Sequence, residues 1–199
     1  MRRNLGKNCR KDVKSPAANK AYTKPLLRGR LCIYKPLALI YIMKETQVTY
    51  QDWEFYSDKE LTEQTYLEME KSGAESCGCE YCRNFIEQRE AVFPDEVKEL
   101  LGKLGVDYKK EVDVSEFAKL ESGPHYYNGW FHFKGDFKGV DCSIALSNGG
   151  YSTDLRKITD NFYIGFCHGD GLTPFKDKEG LVQIEFDCYL PWVLANEPE

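Results

Sequence analysis

Past Gly123-Pro124 the apolar residues of this chain stop recurring every three or four positions and begin to alternate, which restricts the second half to strands. Over 126–133, Tyr127, Phe131 and Phe133 share a face, while Trp130 and His132 point the other way. Over 140–147, Val140, Cys142, Ile144 and Leu146 alternate with Asp141, Ser143, Ala145 and Ser147. Over 161–168, Phe162, Ile164, Phe166 and His168 fall together. Over 181–190, Val182, Ile184, Phe186, Cys188 and Leu190 oppose Gln183, Glu185 and Asp187. The spacing predicts one dry face and one wet face. The Gly-, Asn- and Asp-rich segments 134–139, 147–160 and 169–180 separate the strands without a crossover helix, so pairing is expected to be antiparallel.

The preceding segment reads differently. The aromatics of 48–56 suggest a short strand or extended lead-in. Ser57-Asp58-Lys59-Glu60 then matches a capping box with Ser57 as the cap, Leu61, Thr65, Tyr66 and Met69 form an apolar stripe, and Gly73 is the expected stop. A second helix is predicted over about 80–91, with Cys82, Phe85, Ile86 and Arg89 at helical spacing. A third opens at Pro94, buries Val97, Leu100, Leu101 and Leu104, and ends at Gly105. The expected fold is therefore α+β, with an N-terminal helical layer packed on a mostly antiparallel C-terminal sheet, in a single domain over 43–199.

Charge divides the chain. Residues 1–42 carry 11 Lys or Arg against one acid, Asp12, leaving 16 basic and 31 acidic side chains in residues 43–199. The first segment also holds Pro16, Pro25 and Pro36 and shows no sustained periodicity, so it reads as a basic disordered arm or an upstream extension. The remainder is strongly acidic, which opposes contact with nucleic-acid phosphates or anionic lipid outside that arm and favours a basic protein partner. The apolar run 37–43 is far below the roughly 20 residues that span a bilayer.

Cys77-Gly78-Cys79-Glu80-Tyr81-Cys82 places three thiols within six residues, at the predicted start of the second helix. Thiolates are preferred zinc ligands, and a helix N-terminus favours the thiolate form. Cys77, Cys79 and Cys82 are thus the candidate ligands of a structural zinc, with a fourth donor sought among Cys142, Cys167, Cys188, His125, His132 and His168. Clustered thiols without a recognisable secretory leader point to metal binding in a reducing cytoplasm rather than to a disulfide framework.

Positive evidence for catalysis is sparse. The three histidines form no HExxH or HxH arrangement, Asn148-Gly149-Gly150 lacks the Lys and hydroxyl of a phosphate-binding loop, and no nucleophile elbow is present. His132 reads as a surface or satisfied strand histidine, 168–171 as a strand-ending turn, and Trp192 as packing over a sheet edge. The expected function is a non-enzymatic, acidic protein-binding module with a structural zinc, of the immunity or antitoxin kind. The alternative is a thiol- or metal-dependent enzyme using the Cys cluster with a sheet histidine.

Overall fold

The long strand β4 (His125–Lys138) organises the sheet, because three other strands pair with it. The structure, a computed structural model, describes residues 45–147 and 149–198. The arm expected over 1–42 and the proposed start at 43 lie outside the described residues. The chain begins with a hairpin, β1 (Thr46–Tyr50) and β2 (Trp53–Ser57), followed by α1 (Lys59–Glu68), α2 (Gly73–Cys77), α3 (Glu80–Val92) and α4 (Asp95–Leu104). Then come β3 (Asp113–Lys119), β4, a small hairpin of β5 (Ser143–Ala145) and β6 (Tyr151–Thr153), β7 (Arg156–Thr159), β8 (Phe162–His168) and β9 (Leu181–Leu190). The main sheet has seven strands in the order β1-β2-β4-β9-β8-β7, with β3 also on β4, and every pairing is antiparallel. This is the α+β architecture that the change of period implied.

Phe93 joins helix to sheet at the centre of the core. Its ring meets Phe85 of α3, Phe131 of β4, Phe162 of β8 and Phe186 of β9, with centroids 5.2–6.4 Å apart. Val97, Leu100, Leu101 and Leu104 of α4 are buried as the 3.6-residue spacing requires, and Gly105 ends that helix in the left-handed region.

Helix boundaries depart from expectation in three places. Ser57 ends β2 and donates to the Leu104 carbonyl, so Asp58 becomes the cap of α1 and accepts from the Leu61 amide. With the cap shifted, α1 buries Thr62 and Tyr66 and leaves Leu61 exposed. Gly73 starts α2 instead of stopping α1, and Pro94 precedes α4 rather than occupying its first turn. β3 had no counterpart in the sequence reading.

The second face of the sheet is the larger correction. Gln183, Glu185 and Asp187 were expected to be wet, yet Glu185 is buried and Asp187 half-buried. Parts of the connecting segments fold back towards this face: Trp130 donates to the Leu172 carbonyl, and Cys142 donates its amide to Phe166. Asn128 donates to Glu185 and Asp187, and His132 shares a hydrogen bond with Gln183. His132 is therefore fully buried, not a surface residue, and its Nδ1 finds no partner among the described residues. Strand pattern also overreached at 140–147. Only Ser143–Ala145 is extended, and Val140, Ile144 and Leu146 are exposed while Cys142 alone is buried.

Burial pushes the His132 imidazole down to about 4, an effect the Gln183 hydrogen bond only partly offsets; Asp170 and Lys178 act on it in opposite senses. An imidazole depressed below its unfolded value binds fewer protons when folded, so its contribution is complete above about pH 6.5 and is lost as pH falls towards 4. Glu185 and Asp187, both raised by burial, act in the opposite sense over the carboxylate range. Denaturant titrations of wild type and His132→Gln between pH 7 and pH 4.5 separate the two. Wild type should lose on the order of 2–3 kcal/mol more than the variant over that interval, and parallel losses would show that His132 does not fold uncharged.

Candidate metal centre

Cys77, Cys79 and Cys82 owe their proximity to a single left-handed residue. α2 ends at Cys77, Gly78 at φ +65° reverses the chain while donating to the Ala74 carbonyl, and Cys79 is already the cap of α3. Cys82 follows in the first turn of α3. The three sulfurs lie within 4.8 Å of one another, close enough to hold a metal ion. They are graded in exposure, with Cys77 open to solvent, Cys79 partly covered and Cys82 buried.

A buried ionic network holds α2 in place beneath them. Ser72 accepts from the Glu75 amide while Glu75 accepts from the Ser72 amide, a reciprocal capping box. Arg89 reaches across from α3, donating to Glu75 at 3.0 Å, to Ser72 Oγ at 3.3 Å, to Glu111 at 3.4 Å and to the Lys109 carbonyl. Glu111 accepts from the Ala74 amide through its carboxylate and from the Gly73 amide through its carbonyl. A Cβ on Gly73 would stand 2.6 Å from the Val112 carbonyl oxygen, so only glycine allows this approach. The one readable trace of the network in the sequence is Ser72-x-x-Glu75, in which Gly73 opens a helix rather than ending one.

Two opposing influences act on Cys82. Its place in the first turn of α3, near the positive end of the helix dipole, favours negative charge there. Burial, followed by the neighbouring Cys79 and Cys77 sulfurs, pushes the Cys82 thiol up. Three thiolates at this spacing repel one another, and a divalent cation among them reverses the balance.

None of the six residues considered as a fourth ligand joins this group. His125 packs its ring against Tyr81, which lies between Cys79 and Cys82 in sequence, and against Trp192, but Nδ1 is hydrogen-bonded to Glu116 and Nε2 to Glu197, each at 2.9 Å. Trp192 thus packs at the head of α3. Cys188 is fully buried in the core, and His132 lies on the opposite face of the sheet. Cys142 and Cys167 group instead with Asp141. β9 separates the two ends: His125 pairs with Leu190 and Cys167 with Gln183, seven residues or about 23 Å along the strand.

No protein-family model, curated protein or solved structure matches the chain. Among the described residues, no helix is long and apolar enough to cross a membrane.

Arg89 is the cation on which α2 depends. Burial raises the Glu111 carboxyl even with Arg89 beside it, so Arg89→Met leaves an unpaired buried acid and should cost about 3–5 kcal/mol at pH 8. The carboxyl would then take up a proton more readily, making the cost smaller at pH 5. Urea denaturation at the two pH values checks this, and an equal loss at both would mean that Glu111 is not the group left uncompensated.

Proposed function

We propose that this chain is a non-enzymatic, acidic protein-binding module, in which the helices form one layer against the sheet and a zinc held by Cys77, Cys79 and Cys82 fastens the α2–α3 junction. The observation that carries the reading is the convergence of three sulfurs at the junction, on a helix N-terminus already held from behind by Arg89 and Glu111. Zinc is the ion that suits an all-thiolate donor set with no redox demand. Its role there is structural, since the most deeply placed sulfur, Cys82, belongs to the core cluster itself.

The partner in this reading is a basic protein. The 31 acidic against 16 basic side chains of residues 43–199 create a negative field that steers a cationic surface into contact and disfavours phosphate backbones. An immunity or antitoxin role against a basic toxin fits that field, and a reducing cytoplasm fits a set of free thiols.

A metal-dependent enzyme draws on one observation, that three protein donors group here, the number catalytic zinc sites combine with a water. Against it, both nitrogens of His125, which packs on Tyr81 in the first turn of α3, are engaged by carboxylates.

Metal analysis of untagged protein tests the zinc. Wild type should carry one more zinc per chain than Cys82→Ser, and Cys82→Ser should melt lower and respond less to chelator than wild type does. Equal zinc in both proteins would contradict the assignment. Affinity capture on the chain at low ionic strength tests the partner: a protein of net positive charge should be retained and released by salt, whereas retention of nucleic acid or of acidic proteins would contradict the reading.

A further inference from the structure

We propose that Asp141, Cys142 and Cys167, with water in the fourth position, form a second site for a divalent ion of the zinc class, which clips the β5–β6 hairpin to strand β8. A carboxylate oxygen of Asp141 and the two sulfurs lie within 4.8 Å of one another. Two thiolates about 2.3 Å from a tetrahedral ion stand about 3.8 Å apart, so the grouping already has the required scale. His168 stays outside the group: its Nδ1 is 3.8 Å from Asp141 Oδ2, while its ring stacks on Phe137 at 4.9 Å and its Nε2 is 2.9 Å from Asp136 Oδ1.

The surroundings are built around these sulfurs. Cys142 and Cys167 are 2% and 7% exposed, and the backbone delivers Cys142 to β8 through its amide on the Phe166 carbonyl and its carbonyl on the Asp154 amide. Gly165 makes room for it, since a Cβ there would lie 2.9 Å from the Cys142 sulfur and 2.6 Å from its Cβ. The Ser143 amide occupies Asp141 Oδ1 and leaves Oδ2 turned to His168. Opposite Gly165 in the β8–β9 register stands the buried Glu185, adding negative charge beneath the thiols.

An ion has work to do here. The hairpin leaves Ile144, Leu146 and Tyr151 exposed, so its own apolar residues do not anchor it, and Cys142 is the buried residue at its base. A disulfide between Cys142 and Cys167 would make no use of the carboxylate beside them, whereas a borderline-soft cation uses all three donors. The site lies at the opposite end of β9 from the Cys77, Cys79 and Cys82 group and shares no residue with it, so it stands independently of the reading above.

Cobalt(II) is the probe, because thiolate-to-cobalt charge transfer and the visible bands of tetrahedral cobalt report sulfur ligation directly. In full-length protein carrying Cys9→Ser and Cys32→Ser, two cobalt ions per chain are expected. Cys142→Ser/Cys167→Ser should hold one, and Cys77→Ser/Cys79→Ser/Cys82→Ser should keep one with its thiolate band. Asp141→Asn should weaken binding at the second site about tenfold or more. A spectrum unchanged by Cys142→Ser/Cys167→Ser overturns the proposal, as does unreduced protein lighter by two hydrogens in a form whose disulfide maps to Cys142 and Cys167. Affinity unchanged in Asp141→Asn overturns the three-donor set. Loss of binding at the junction alone, with the hairpin site retained, would count against the junction zinc and leave this proposal supported.

Discussion

The pairing of Arg89 with the buried Glu111 is the constraint on which the candidate site depends. α2 has five residues, too few to be stable by its own hydrogen bonds, and its N-terminal amides are satisfied by Ser72 and Glu111 rather than by water. Arg89 ties those acceptors to α3, so the two helices that carry the cysteines are joined behind the sulfurs before any ion is considered. Gly78 then has a fixed angle to span, and its left-handed conformation brings Cys77 back over Cys79 and Cys82. A site prepared in this way spends little of an ion's binding free energy on ordering the chain.

Strand periodicity was the most legible part of the fold. Phe162, Ile164 and Phe166, and Val182, Ile184, Phe186 and Cys188, are buried on the face that alternation assigned to them, because their partners on β4 and in the helices are apolar as well. Alternation failed where long loops decide burial. Val140, Ile144 and Leu146 have the pattern of a core strand but no sheet to lie against, whereas Glu185 has the pattern of a solvent-facing residue and lies beneath segments folded over it. Pattern records what a strand offers to each side and is silent about what distant segments place there.

The same limit applied to the chemistry. Proximity in sequence made Cys77, Cys79 and Cys82 visible, and their sulfurs do meet. Asp141, Cys142 and Cys167 are brought together across some 25 positions by the β5–β6 excursion, and the Arg89 network spans Ser72 to Glu111. Apart from the Ser72-x-x-Glu75 capping box, neither grouping leaves a spacing motif. The histidines illustrate the converse, since each looked available as a ligand in sequence and two are buried, His125 against carboxylates and His132 against an amide.

X-ray absorption at the zinc edge tests the central claim most directly, using the Cys142→Ser/Cys167→Ser chain so that the junction alone is read. Convergence of Cys77, Cys79 and Cys82 on one ion predicts a first shell dominated by sulfur at about 2.3 Å, with about three such neighbours. A shell of nitrogen and oxygen at about 2.0–2.1 Å without sulfur would contradict it.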